Sequence, residues 1–431
     1  MVANLEILSK AMIKPSSPTP HHLRDHKLSF LDQIAPPVFI PLIFFYQTNQ
    51  LETFQDRDQI SQLLKQSLSN ILTQFYPLAG RICSKNFSID CNDDGALCIE
   101  AQVHSNLLQV IEKPVMEELK QCLPLELNSK GPGLTEAKTI LLAIQINFFD
   151  CGGIAIGVQL SHKIADGTSL VTFMNAWAKS CSEVSEIVPS SFELASLFPP
   201  RDMSSFGFKP TTGMTKEKIV TKRFVFDKEK LAKLKQAAAS SLVKDPTRVE
   251  AVSAFIWRHF IDASKAKAVA AVHAVNMRPR MNPALEDHAF GNIWTHTVAI
   301  PMLQGEKGYE NLVGDLRKAI RNINSNYVKK LQNGDEYLKI LKKSVEFASK
   351  GDVELCNFSS WCRFPMYEVD FGWGKPTWVS TTAFPFKNVV ILMSTSCGEG
   401  IEAWLNMLED DMPSFQSNHR HLSVAAKDFN A

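Results

Sequence analysis

The sequence has no long apolar run, no closely spaced cysteine pair and no surplus of charge. Each absence argues against a class of function. The longest apolar stretch, Ala35 to Tyr46, is broken by Pro36, Pro37 and Pro41. It falls short of the ~20 residues that a membrane-spanning helix needs, so no membrane association is expected. The nine cysteines, at 83, 91, 98, 122, 151, 181, 356, 362 and 397, are scattered and form no C-x-x-C pair. That pattern favours reduced thiols over a disulfide framework or a zinc site. Forty-six basic residues balance forty-five acidic ones, which gives no reason to expect a nucleic-acid partner. The opening stretch MVANLEILSKAMIKPSSPTPHH lacks the apolar core of a signal peptide, and the chain ends in FNA without a peroxisomal SKL address. A cytoplasmic location is therefore expected. No internal repeat or low-complexity segment is visible.

What is present is enough apolar material, 45% of 431 residues, for two domains of about 200 residues each. Ile60, Leu63, Leu64, Leu68, Ile71, Leu72 and Phe75 keep helical spacing up to Pro77. Residues 139–149 (TILLAIQINFF) read as a buried strand and DCGG at 150–153 as a hairpin turn. Ile154, Ile156, Val158 and Leu160 then alternate along a second strand, and Leu170, Phe173, Met174, Trp177 and Cys181 share one helical face. Residues 184–218 are rich in Ser, Pro, Gly and Thr and read as a crossover. The expected division is a first domain over 1–190, a linker over 191–218 and a second domain over 219–431. The second half predicts a strand at 219–226, helices from Lys228 to about Ser241 and from Val249 to His259, and a strand at Ala271–Asn276. Residues 309–348 predict two helices joined at Asn333-Gly334.

Residues 161–167, SHKIADG, set a histidine where a strand ends and a helix begins. His162 reads either as a hydrogen-bonded turn residue or as a proton acceptor, since an imidazole of pKa ~6.5 works near neutrality. Asp166 reads as the cap of the next helix. No second pair of His, Asp or Glu with ligand spacing stands nearby, so no metal is expected. Gly167 is expected to let the chain turn sharply, leaving the ring at an opening.

Residues 370–376, DFGWGKP, form a second landmark. The DFG triplet is shared with protein kinases, but no G-x-G-x-x-G loop and no H-R-D-L-x-x-x-N segment accompany it. A G-x-S-x-G elbow is also missing, which leaves a serine hydrolase unsupported. HxxxD followed about two hundred residues later by DFGWG resembles the plant BAHD family of coenzyme-A-dependent acyltransferases. The resemblance extends through LSFLDQ at 28–33, FYPLAGR at 75–81, TRVEAVSAFIWRH at 247–259, VNMRPRMNP at 275–283 and FGN at 290–292.

The resemblance implies an α/β fold of the chloramphenicol-acetyltransferase kind. Two similar-sized domains, each a mixed sheet flanked by helices, would enclose an active-site channel at their interface. It implies acyl-coenzyme A, and acetyl-coenzyme A in particular, as co-substrate, with no prosthetic group. The acceptor would be a small-molecule alcohol of the alkaloid or terpenoid kind, and the protein a monomer. His162 would be the general base. Asp166 would pair with an arginine, Arg280 in preference to Arg278, and Asp370 would hold its loop through an ion pair or backbone hydrogen bonds. Trp373 would serve in packing or help an oxyanion. Ser253, Arg248 and Arg278 would contact coenzyme A. A sugar-ester or amine acceptor, a thioesterase and a non-catalytic binding relative are the alternatives.

Overall fold

The computed structural model describes residues 4–51, 56–83, 87–125, 140–181, 187–202, 215, 217–301, 308–349 and 353–417. Two mixed six-stranded sheets organise these residues. The first contains β1 (Asn4–Ile13), β3 (Phe39–Tyr46), β6 (Ala96–His104), β7 (Leu142–Phe149), β8 (Ile154–Ser161) and β13 (Trp378–Ser380), in the spatial order β1-β6-β7-β8-β3-β13. A small sheet of β2 (Asp25–Lys27), β4 (Arg81–Cys83) and β5 (Ser88–Asp90) lies beside it in sequence. The second large sheet contains β9 (Ile219–Phe226), β10 (Ala268–Asn276), β11 (Trp294–Ala299), β12 (Val353–Ser360), β14 (Val389–Ser394) and β15 (Ile401–Leu408), in the order β11-β10-β12-β14-β15-β9. The expected fold class holds.

Helix α1 is Phe30–Ile34, α2 is Arg57–Gln74 and α3 is Gly167–Lys179. The apolar stripe of α2 buries Ile60, Leu64, Leu68, Ile71 and Leu72, and α3 buries Leu170, Phe173, Met174 and Trp177. Both stripes join the core of the first sheet, as their 3.6-residue spacing requires. In the second half, α4 (Lys228–Ala238), α5 (Arg248–Ala263) and α6 (Tyr309–Asn322) pack into a separate core with Trp257, Phe260 and Leu316. The expected helix over 228–241 ends at Ala238, and the one over 249–259 extends from Arg248 to Ala263.

Two expectations need correction here. Residues 309–349 form three helices, since α7 (Ser325–Gln332) and α8 (Gly334–Ser349) follow α6. The missed break is at Asn324, whose side chain accepts from the Tyr327 amide and caps a new helix. The second half is also not self-contained: β13 pairs with β3, so residues 378–380 complete the first sheet. Residues 203–214 and 216 of the expected linker lie outside the described residues.

The β7–β8 hairpin turns at 150–153, as read from the sequence, and β8 runs between β7 and β3 to deliver His162 at its far end. The His162 amide continues the ladder by donating to Val38 O at 2.8 Å. Among the described residues no helix is long and apolar enough to cross a membrane.

Candidate active site

His162 is half-buried at the C-terminal end of β8, with its ring turned toward the second half of the chain. Its Nδ1 lies 2.8 Å from Asn292 Oδ1. The other end of that amide is fixed: Asn292 Nδ2 donates to the His162 carbonyl at 2.8 Å and to Asp32 Oδ1 at 2.8 Å. Trp294 Nε1, which can only donate, reaches Asn292 Oδ1 at 3.3 Å. The amide oxygen therefore faces His162, so Nδ1 carries the proton and Nε2 keeps a free lone pair. Burial lowers the His162 pKa below its usual 6.5, with Asp166 pulling partly the other way. The ring is neutral at pH 7 and able to take a proton.

Asp166 is buried beneath this loop and makes three kinds of contact. Its Oδ1 caps α3 by accepting from the Ser169 amide at 2.9 Å, and its Oδ2 accepts from the Ile293 amide at 3.0 Å. Both oxygens take the Arg278 guanidinium, at 2.8 and 3.1 Å. Burial alone would push the Asp166 carboxyl up, but the Arg278 charge and the hydrogen bonds outweigh it and hold it below the usual range. Gly291, at φ +136°, bends the FGN segment so that its carbonyl meets Ser169 Oγ at 3.0 Å. Gly167 is required for closeness instead of for a turn: a Cβ there would lie 2.7 Å from the Phe364 ring.

A neutral imidazole with one free nitrogen, held between two sheets on an HxxxD loop, is a general-base arrangement. The Transferase family model matches residues 3–422. The chain belongs to this family, the BAHD acyltransferases. It is 46% identical to stemmadenine O-acetyltransferase of Catharanthus roseus over 438 aligned residues, covering all of both chains. It is 44% identical to vinorine synthase of Rauvolfia serpentina, over 96% of each chain. The crystal structure of vinorine synthase superposes with a TM-score of 0.85 at 42% identity, covering 99% of this chain and 100% of that one. The fold extends to F. sporotrichioides TRI101, complexed with coenzyme A and T-2, at a TM-score of 0.68 and 20% identity over 92% of this chain and 97% of that one.

Within this acyltransferase the structure relocates several expected site residues. Asp166 pairs with Arg278 and not Arg280, whose guanidinium instead holds the Ile320 and Ile323 carbonyls at the end of α6. Arg278 is wholly buried, and its N–H groups reach Asp166, Ser169 Oγ and the Ala289 and Gly291 carbonyls. It offers nothing to a coenzyme A phosphate. Ser253 is fully buried in α5, its Oγ without a partner among the described residues, so it lines no entrance here. Arg248 is partly exposed at the first position of α5 and donates to the Gly398 carbonyl.

Asp370 is exposed, and its Oδ1 accepts from the Gly372 and Gly374 amides, both at 2.8 Å. It shapes the DFGWG turn from outside the base's surroundings. Tyr46, which closes β3, donates to Val369 O and packs against Phe371 and Trp373. His162 meets the other end of β3 at Val38, so the two motifs are separated by roughly 25 Å of extended strand. Trp373 is a packing residue on Tyr46 and Phe371, not an oxyanion donor. A hollow of about 620 Å³, lined by Thr48, Asp56, Arg57, Gln102, Phe148 and Gly152, also opens near that remote end. It holds no residue of the base loop.

Sequence reasoning missed the strip beside His162. Register places His296 opposite Ala274 and Val298 opposite Val272, so these side chains leave one face of the second sheet. Trp294 and Ile300 continue that face, and the Trp294 ring lies 5.7 Å from the His162 ring. Val298 and Ile300 are 39% and 45% exposed, while Thr295, Thr297 and Ala299 on the other face are buried. His296 is exposed too, yet surrounding protein and the neighbouring His162 hold its imidazole at about 4. A side chain reached by solvent but hemmed in by protein is what a recessed wall contains. No group of three metal-ligating side chains occurs among the described residues.

Proposed function

We propose that the protein transfers an acetyl group from acetyl-coenzyme A to a hydroxyl of an apolar alkaloid or terpenoid, with His162 as general base and both substrates bound together. The observation that carries this is the His162–Asn292 hydrogen bond, which leaves Nε2 free next to an exposed apolar strip. Nε2 would take the hydroxyl proton as the acceptor oxygen attacks the thioester carbonyl. The tetrahedral intermediate would then collapse with loss of the thiolate, and the imidazolium would return its proton to that sulfur. An acyl thioester is already reactive, so orientation and one proton transfer suffice. Trp294, Val298 and Ile300 suit an apolar ring system, and neutral His296 offers it one polar contact. Arg248 would serve the coenzyme A phosphates. The relatives' names, which include an alkaloid O-acetyltransferase and limonoid acetyltransferases, support this acceptor class.

Purified protein would be incubated with acetyl-coenzyme A and hydroxylated indole alkaloids, stemmadenine first, then limonoids. The expected result is a product heavier by one acetyl group and an equal amount of free coenzyme A. Release of coenzyme A without an acceptor, and no acetylated product from any panel member, would indicate a thioesterase instead.

A further inference from the structure

We infer that Asp32, through Asn292, sets which nitrogen of His162 carries the proton, and so acts as a positioning residue for the base. The inference rests on the general-base reading above and concerns a residue 130 positions from His162. Asp32 is buried in α1 with its two oxygens differently occupied. Oδ2 accepts from the Ser29 amide at 2.9 Å and from Ser29 Oγ at 2.6 Å, completing a capping box. Oδ1 faces the other half of the chain, accepting from Asn292 Nδ2 at 2.8 Å and the Asn292 amide at 3.2 Å.

Capping alone gives no reason to bury a charge. Asp56 and Asp227 cap α2 and α4 from exposed positions. Four donors converge on Asp32, the arrangement of an ionised carboxylate. Burial outweighs the hydrogen bonds from Ser29 and Asn292 and leaves the Asp32 carboxyl raised above its usual range, so the four donors, and not a low pKa, are what point to the carboxylate form near neutrality. An asparagine amide has two ends of the same shape, and a 180° turn exchanges donor for acceptor. Turned over, Asn292 would aim its oxygen at the Asp32 carboxylate and at the His162 carbonyl, and its NH₂ at the Trp294 N–H. A buried anion facing an amide oxygen is the most costly of these contacts. Asp32 thus keeps the amide oxygen on His162 Nδ1, and the proton on Nδ1 leaves Nε2 free. The other charged or titratable groups around this ring are Asp166, which Arg278 neutralises, Lys163 and His296. Lys163 is itself held by the Gln33 and Ala35 carbonyls, at 2.8 and 3.0 Å.

The test uses full-length protein labelled with ¹⁵N-histidine, with the His162 signals identified by their loss in His162→Ala. Wild type should show protonated Nδ1 and unprotonated Nε2. Asp32→Asn should move proton population toward Nε2 and lower kcat about 10–100-fold, taking the loss known for outer partners of metal-bound imidazoles as the scale, with little change in acceptor KM. The exchange Asp32→Asn with Asn292→Asp places the carboxylate against Nδ1–H and the amide behind it. It should restore the Nδ1 proton, recover part of kcat and move the acid limb of kcat/KM to higher pH, because an anion beside the ring favours imidazolium. An Asp32→Asn protein that unfolds more easily but keeps the wild-type tautomer and pH profile would reduce Asp32 to a helix cap and overturn the inference. If Asp32→Asn does not fold, Asn292→Ala, which leaves the α1 cap intact, takes its place. Retention of the Nδ1 proton there would overturn the inference equally. The spectrum decides the role of Asp32 even if no acceptor is turned over, whereas absence of acetyl transfer by wild type would fall on the general-base reading alone.

Discussion

The imidazole of His162 is where residue chemistry and reaction meet, and its pKa fixes a pH response. Burial lowers that pKa from 6.5, so the working neutral form predominates at pH 7. As pH falls through the lowered value the ring takes a proton and loses its basic lone pair. The kcat/KM profile should therefore be level on the alkaline side and fall on the acid side with a midpoint below 6.5, and the midpoint of the kcat profile should lie lower still if bound substrate buries the ring more deeply. His162→Ala should lower kcat by roughly 10²–10⁴-fold with an unchanged thermal transition, the usual loss for a general base. A folded His162→Ala protein of near-wild-type rate would remove the base from the mechanism. This residue was legible because its motif is local: the strand end, the histidine and the capping aspartate fall within seven positions. Asn292 and Asp32 fall within the FGN and LSFLDQ stretches that carry the resemblance, but nothing there ties them to His162, 130 positions away in either direction. No periodicity or short spacing joins residues so distant in sequence.

At the scale of elements, the HxxxD loop and the DFGWG turn are both held by an aspartate, but under opposite conditions of burial. Asp166 sits under its loop against a wholly buried arginine, so Asp166→Ala strands the Arg278 charge and removes the α3 cap together. The expected loss is about 3–5 kcal/mol, read as a lower urea midpoint, with activity lost as the loop loosens. Arg278→Met in the same chain should recover part of that stability, because the pair is costly chiefly when one charge remains alone. Asp370 is exposed and uses one oxygen to accept two backbone amides. Asparagine at 370 still supplies a carbonyl oxygen, so Asp370→Asn should be nearly neutral in stability and rate. Asp370→Ala should cost about 1–2 kcal/mol, comparable with losing a helix cap. Inactivity of a stable Asp370→Asn protein would give the carboxylate a chemical role after all. Choosing between Arg278 and Arg280 was beyond the sequence because the RPR turn offers both within three residues. The turn sends Arg278 toward α3 and Arg280 toward the end of α6, and only tertiary packing shows which one is buried.

Over the whole molecule, the two halves are interlocked both around the base and farther along β3. Asp32, His162 and Asp166 come from the first half, Arg278, Asn292 and Trp294 from the second, and β13 crosses back to complete the first sheet. A base built across such a junction favours two substrates meeting there over a relay through a covalent acyl-enzyme. The thiols agree with that view. Burial pushes Cys91, Cys98 and Cys122 up to about 12 and Cys181 up to about 11, which leaves them almost wholly protonated and poor nucleophiles at pH 7. Cys151 lies at the β7–β8 turn, a full strand length from His162, and its Sγ accepts from the Leu107 amide. Exposed Cys397, in the turn between β14 and β15, has its thiol lowered by hydrogen bonding to Thr395. It is therefore the thiol to exclude directly. Initial rates measured against acetyl-coenzyme A at several fixed acceptor concentrations should give intersecting lines. Intact protein mixed with acetyl-coenzyme A alone should gain no acetyl mass, and Cys397→Ser should keep the wild-type rate. Parallel lines, together with an acetyl adduct that disappears in Cys397→Ser, would replace direct transfer with a ping-pong route through that sulfur.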